Sequence, residues 1–318
     1  MTTRFVVCGE TLIDLIQADQ QPDGFASSAW WATSAGGPMN TAVALGELGA
    51  DVHFLGRLSA DAFGAQLRGH LANAAVALDL TAESAQATSL AVVSLDSDGN
   101  ASYTFHFADT ANFDWRESDL PKLAGADWLH IASLACVVPP GSEVLLDWSQ
   151  GTPAAGISYD INVRPTVISD PGEYLAKVRP WLRVVGLRQG ILKASDDDIA
   201  FLAQAESPEA DPVDVLAGWV DDYHLGLGVL TLGPAGAVAV RAGNRRTAVP
   251  GFATSVVDTV GAGDTFMAGF LDGYVGRELD LETSLVRGTA AAAIVCSRRG
   301  AVPPSTAEVD ALIEANAG

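Results

Sequence analysis

Short apolar runs alternate with helix-like stretches along most of this chain, and that rhythm admits few folds. Residues 5–8 form a compact apolar run that stops at Gly9-Glu10, as a buried strand would. In residues 40–48 the apolar side chains Ala42, Val43, Ala44, Leu45 and Leu48 fall at helical spacing, with Gly49 at the C-cap position. A strand over 51–56 and a helix over 61–75 follow. After residue 127 the rhythm resumes, with strands expected near 128–132, 157–161, 184–186 and 228–232. Such alternation predicts an α/β fold: a three-layer sandwich with a mostly parallel central sheet covered by helices.

Two segments break the rhythm. Residues 89–95 and 102–107 are β-rich runs around Asp98-Gly99, a turn dipeptide suited to a hairpin. Residues 10–36 carry an irregular polar stretch with Trp30 and Trp31. No repeat or Gly/Ser linker marks a boundary, so the reading is one domain over 1–318 with a small β-lid built from about 10–36 and 89–113.

Composition narrows the function. Hydrophobic residues make up 48% and charged residues 18% of 318, enough apolar surface to offset chain entropy and form a full core. The formal charge is −21, from 39 acidic and 18 basic residues, so the long-range field opposes a nucleic-acid or anionic-membrane partner. The same field repels any phosphorylated substrate, and a phosphate site must then rest on local N–H groups and a few cations. Cys8, Cys136 and Cys296 lie far apart in apolar stretches without ligand spacing, which suits reduced thiols in a cytoplasmic protein. No apolar run reaches membrane-spanning length.

The segment that carries chemistry is Asp258-Thr259-Val260-Gly261-Ala262-Gly263-Asp264-Thr265-Phe266, followed by the helix-spaced Met267-Ala268-Gly269-Phe270-Leu271. A glycine-rich turn feeding a helix leaves unpaired N–H groups pointing one way, where they can hold a phosphate. Asp264 would then sit beside the anion, placed to take a proton from an attacking hydroxyl. Taken alone, Asp264 could equally cap the helix. A dinucleotide fingerprint is excluded because its third glycine would fall at Phe266, and a P-loop because its Lys-Ser/Thr is absent.

Taken together, Gly36-Gly37-Pro38-Met39-Asn40 with Gly49, Gly56-Arg57 with Asp61 and Gly64, and the run from Asp258 to Phe266 resemble the ribokinase-like (PfkB) family of sugar kinases, in order and spacing, over nearly the full chain. The resemblance implies an ATP-dependent kinase with Asp264 as base and Gly261, Ala262 and Gly263 as its anion hole. It implies a sugar site at Asp14, Gly36, Gly37 and Asn40, although bare glycines also serve turns and Asn40 could cap a helix. Asp160-Ile161-Asn162-Val163-Arg164-Pro165 is similar to the family's strand-end segment, with Asn162 near the phosphates and Arg164 adding positive charge between phosphates and sugar. Lys193 would help position the nucleotide, or be a solvated lysine. Asp198, in Ser195-Asp196-Asp197-Asp198, would stand in for the family's magnesium-linked Glu, or cap a helix. Thr231, Gly233 and Gly236 match the nucleotide-side turn, which could also be a plain hairpin turn. Ala290 to Ala293 would leave room for adenine, or serve helix packing.

ATP and Mg2+ are the cofactors implied, with K+ as a further expectation at Asp258 and the carbonyls of Val260, Val295 and Gly300; Pro304 stands where ribokinases place a serine ligand. Phe105 and Phe107 fall in the lid and could pack on a sugar face or fill the lid's own core. Thr110-Ala111 and Trp115 look closer to fructokinases and 2-keto-3-deoxygluconate kinases than to adenosine kinases, and no arginine stands in the lid run, which favours a neutral sugar. Fructose is the expected acceptor, with 2-keto-3-deoxygluconate kinase or ribokinase as alternatives and a homodimer left open. A non-catalytic sugar-binding regulator would have no reason to retain Asp264 together with Gly261 and Gly263. An oxidoreductase would need a dinucleotide loop where Gly9-Glu10-Thr11-Leu12 stands.

Overall fold

The computed structural model describes residues 3–18, 27–95 and 101–316. In chain order the strands and helices are β1 (Arg4–Cys8), β2 (Leu12–Gln17), β3 (Trp30–Ala35), α1 (Gly37–Glu47), β4 (Asp51–Leu55), β5 (Arg57–Ser59), α2 (Ala62–Asn73), β6 (Ala82–Ser84), β7 (Leu90–Leu95), β8 (Ala101–His106), β9 (Asp127–Ala132), α3 (Gly141–Gly151), β10 (Gly156–Asp160), α4 (Pro171–Gly186), β11 (Ile191–Ser195), α5 (Asp196–Ala203), α6 (Pro212–Asp222), β12 (Leu227–Thr231), β13 (Ala237–Arg241), β14 (Arg245–Val249), α7 (Ala262–Leu271), α8 (Leu281–Cys296) and α9 (Thr306–Ala315).

Eight strands form the central sheet in the order β14-β13-β12-β11-β10-β9-β1-β4. The six from β12 to β4 are parallel, and β13 pairs antiparallel with both β12 and the edge strand β14. Burial on both faces explains why β1 reads as a continuous apolar run rather than an alternating one. Val6 and Cys8 face a core shared with α3 to α6, while Phe5 and Val7 face the core of α1, α2, α7, α8 and α9. Each such side chain contributes roughly 1.5–3 kcal/mol by leaving water, so the register of this central strand is firmly set.

A separate four-stranded sheet, β3-β2-β7-β8, gathers strands from both segments that broke the βα rhythm. β2 pairs parallel with β7, and β3 and β8 flank them antiparallel. The Asp98-Gly99 turn and residues 19–26 of the first segment lie outside the described residues.

One strand expectation is corrected. Residues 184–186 end helix α4, and the strand lies further on, at β11. In α4, Tyr174, Val178, Trp181, Leu182 and Val185 are buried at helical spacing. A three-residue apolar run cannot be told from a strand by itself, and Pro180 inside the helix breaks the local pattern further.

Candidate active site

A cavity of about 460 Å³ lies between the two sheets. One wall comes from the four-stranded sheet, through Leu12, Asp14, Ala35, Ala91 and Phe105. The other comes from segments that follow the carboxyl ends of parallel strands, where α/β sheets bind ligands: Glu10 after β1, Ser133 and Leu134 after β9, and Asn162, Arg164 and Thr166 after β10. Gly36, Gly37 and Asn40 at the start of α1, with Thr259 to Asp264 leading into α7, complete the lining.

Asp264 sits on the first turn of α7, and it does not cap the helix. Gly261 occupies the N-cap with no side-chain cap bond, and both Asp264 oxygens are met by amides from elsewhere. Asn40 Nδ2 donates to Oδ2 at 2.9 Å and Asn162 Nδ2 to Oδ1 at 3.3 Å. Asn40 is likewise inside α1 and caps nothing. Asn162 adopts φ 45°, a left-handed backbone tolerable for Asn, and its Oδ1 accepts from Arg164 at 2.5 Å. An Arg164–Asn162–Asp264–Asn40 chain thus crosses the cavity floor. Gly37 lies against it so closely that a Cβ there would stand 2.6 Å from Asn162 Nδ2 and 3.2 Å from Asp264 Oδ1. Burial pushes the Asp264 pKa up, opposed by the Asn40 hydrogen bond and by Lys193 and Arg164. On the opposite wall burial lifts Asp14 to about 6, with Arg164 pulling the other way.

Lys193 is not the solvated lysine that its sequence position allowed. It is 3% exposed, its ammonium donates to Asp160 Oδ2 at 2.8 Å, and a Cβ on Gly263 would meet Nζ at 2.9 Å. Burial pulls its pKa down, but the carboxylates of Asp160, Asp198 and Asp264 more than offset this and raise it. The glycine loop lacks a basic residue in sequence, yet a buried cation from β11 lies beneath it.

Other expected residues stand outside the cavity lining. Asp198 closes a capping box on α5: Oδ2 accepts from Ser195 N at 2.8 Å and Oδ1 from Val163 N at 2.7 Å. Thr231, Gly233 and Gly236 form the β12–β13 connection. Phe107 follows the last residue of β8 and packs between Phe105 and Phe113, ring centroids 4.9 and 5.0 Å away, so Phe105 alone of the two faces the cavity. Ala262 does line the cavity, but its N–H is already engaged by Thr259 O at 3.2 Å. Asp258 ties its own loop together, Oδ1 accepting from Val260 N at 3.1 Å and Oδ2 from Gly300 N at 2.9 Å. Cys296 O accepts from the N–H of Val257 and Asp258, which brings Val295 beside the same loop.

Among lining residues that motif reasoning passed over, Glu10 is the most constrained: 1% exposed, with Oε2 accepting from Ala135 N at 3.0 Å. Ser133, with φ 61°, follows β9 directly. Both were findable as polar residues at carboxyl ends of parallel strands.

The description "pfkB family carbohydrate kinase" fits residues 2–308. The chain is 32% identical over 281 residues to the fructokinase of Klebsiella pneumoniae, covering 87% of this chain and 86% of that one. A double mutant of fructokinase from Vibrio cholerae O395, in fructose-, ADP- and potassium-bound form, superposes with TM-score 0.82 at 25% identity, covering 98% of each chain. The ATP-bound fructokinase of Xylella fastidiosa, at 23% identity, matches the fold over the full length of both chains with TM-score 0.86. With a mostly parallel sheet, a second small sheet across its carboxyl ends and a family match over nearly every residue, the chain belongs to the pfkB family of carbohydrate kinases.

Proposed function

We propose that the chain is an ATP-dependent fructokinase in which Asp264 is the general base. The observation that carries this reading is the place of one carboxylate: Asp264 stands on the cavity floor, at the first turn of α7, fixed by Asn40 and Asn162. Burial raises its proton affinity while Lys193 and Arg164 favour its ionised form, a combination suited to accepting a proton. Asp14, Gly36, Gly37, Asn40 and Phe105 hold the sugar; Asn162, Arg164 and the Gly261–Gly263 turn meet the phosphates. As the sugar oxygen bonds to the γ-phosphorus, the bond to ADP breaks and the hydroxyl proton passes to Asp264. Backbone N–H groups and the α7 dipole offset charge on the transferring group. Fructose is favoured by the relatives that carry the fructokinase name.

Magnesium would travel with the phosphates of ATP. Asp198, the acid the resemblance set aside for it, stands outside the cavity lining, where it holds the N–H groups of Val163 and Ser195, so it does not fit a metal held beside the phosphates and no step runs through one. The potassium expectation rests instead on the loop: Asp258 accepts from Val260 N and Gly300 N beside Val295, so a cation there would rely on the carbonyl oxygens of these three residues and add positive charge next to the anion loop. Thr231, Gly233 and Gly236 stay on the nucleotide side of the proposal. A homodimer would cover Trp30 and Trp31, exposed on edge strand β3; sedimentation reads it. Among the described residues no helix is long and apolar enough to cross a membrane, and the three free cysteines support a cytoplasmic place.

Arg164 on the cavity wall favours one second reading, an anionic sugar such as 2-keto-3-deoxygluconate. ADP release measured over fructose, ribose, 2-keto-3-deoxygluconate, glucose and nucleosides separates them. Fructose should give the highest kcat/KM by about tenfold or more, the scale of one well-placed hydrogen bond to substrate. A higher value for another sugar overturns the choice of fructose, and sugar binding without ADP release overturns the kinase.

A further inference from the structure

Beneath the glycine loop lies a buried ion pair whose carboxylate, Asp160, has no task in phosphoryl transfer by Asp264. Asp160, the last residue of β10, and Lys193, in the middle of the parallel strand β11, are register partners with side chains 1% and 4% exposed. Burying two charges costs more than their attraction returns unless their remaining hydrogen-bonding capacity is also used, and apolar replacements are often at least as stable. Here that capacity is not used, since Asp160 Oδ1 is buried with no hydrogen-bond partner among the described residues. Stability alone is a poor reason for such a pair. Its position supplies a better one, because the ammonium lies 2.9 Å from where a Cβ on Gly263 would be, close against a residue that lines the cavity.

We propose that Asp160 is a positioning residue for phosphoryl transfer, holding the Lys193 ammonium under Gly263 so that a fixed positive charge stands behind the anion loop and beside Asp264. This rests on the kinase reading. Neither member exchanges a proton with the substrate; burial lifts Asp160 to about 7 against the pull of Lys193, and the ionised pair acts as a preorganised charge in a dry site, where it is worth far more than in water. A side chain on Gly263 would press on the ammonium, its Cβ standing 2.9 Å from Nζ.

The groups around Asp264 allow the sign to be worked out. Asn40 and Asn162 are neutral, Arg164 and Lys193 are cations, and Asp160 and Asp198 are acids facing Lys193. Arg287, the buried cation of the neighbouring α8, is turned to Asp272 and Asp310. Removing the Lys193 charge therefore raises the Asp264 pKa and moves the acid limb of kcat to higher pH. Removing the Asp160 carboxylate, a like charge, does not.

The test uses Lys193→Met, Asp160→Asn and the double variant in the full chain, with kcat, sugar KM, pH profiles and melting temperatures. Lys193→Met should lower kcat by about tenfold or more and lift the acid limb by about one pH unit, the usual effect of an adjacent opposite charge, with sugar KM within about twofold. Asp160→Asn should lower kcat without lifting the limb. The double variant leaves no lone buried charge, so its melting temperature should return toward wild type while kcat stays low. Recovery of kcat together with melting temperature would make the pair purely structural and overturn the proposal, as would an unmoved limb in Lys193→Met. The carboxyl 13C resonance of Asp264, assigned with Asp264→Asn, reads the same pKa displacement without turnover, so the effect of the pair on Asp264 is measured even in a protein that phosphorylates no sugar.

Discussion

At the scale of single residues, the floor of the cavity is a chain of amides and charges that leaves Asp264 little freedom. Asp264→Asn keeps the shape and the contact with Asn40 but cannot take a proton, so kcat should fall by at least ~10², the usual contribution of a general base, while calorimetry finds ATP binding intact; a near-normal kcat in the folded variant would remove the assignment. Asp14 makes a second, pH-dependent prediction. Burial lifts its pKa to about 6, so it is ionised above pH 6 and gains a proton as pH falls through that value. A protonated carboxyl accepts sugar hydroxyls more weakly, and fructose KM should therefore rise below about pH 6 and flatten above it, a limb that Asp14→Asn abolishes. The sequence made these residues legible because glycines and amides cluster around them in short motifs. Asp160 against Lys193 was not legible as a pair, since 33 positions separate them and only the register of β10 on β11 brings them together. Phe105 and Phe107 looked equivalent by strand alternation, but β8 ends at His106 and Phe107 turns into the aromatic cluster instead.

Among the elements, the starts of α1 and α7 set the precision of the site, because each brings a glycine within contact distance of a functional side chain. A methyl on Gly37 would stand 2.6 Å from the Asn162 amide, inside van der Waals contact, and Asn162 is bound on its other side by Arg164. Gly37→Ala should therefore displace Asn162 and with it Asp264, lowering kcat by about 10²-fold as for a misplacement near 1 Å, with helix content by circular dichroism unchanged. Wild-type kcat would mean that the Asn162 contact is dispensable. Gly263→Val acts on the same machinery from below, since its side chain must push on Lys193 Nζ as well as distort the loop; its loss of kcat should exceed that of Lys193→Ala in parallel kinetics. Helix starts like these were readable from Gly-rich turns followed by apolar spacing. The end of α4 was not, because Val184 and Val185 make a short apolar run of the kind that strands also show.

Across the whole molecule, function depends on how the small sheet sits on the large one, and a single side chain governs the joint. Asn112 Oδ1 accepts from Thr11 N at 3.2 Å, and its Nδ2 donates to Thr11 O and, at 2.9 Å, to Ser89 Oγ. It thereby fixes the residues that enter β2 and β7, the two central strands of the small sheet. Ser89 is tied further to Thr110, and Asp61 at the start of α2 accepts from Thr88 N at 2.8 Å. The root of the sheet is thus pinned to the main body, whereas Asp14 and Phe105, further along the strands, meet the body across the cavity. We expect the sheet to act as a lid that closes about this root when sugar bridges Asp14 and Asn40. Amide exchange measured with and without saturating fructose reads this directly. Exchange should slow in β2 beyond Asp14 and in β7 and β8, where strand hydrogen bonds are lightly covered in the open form. The amides of Thr11 and Thr88 should stay equally protected in both, because their acceptors belong to the root and not to the ligand. Uniform slowing of root and strands together would mean global stabilisation by a ligand that binds the native state. Unchanged exchange in the strands, with slowing confined to α1 near Asn40, would mean that the sugar binds without moving the sheet, and the lid would have to be given up.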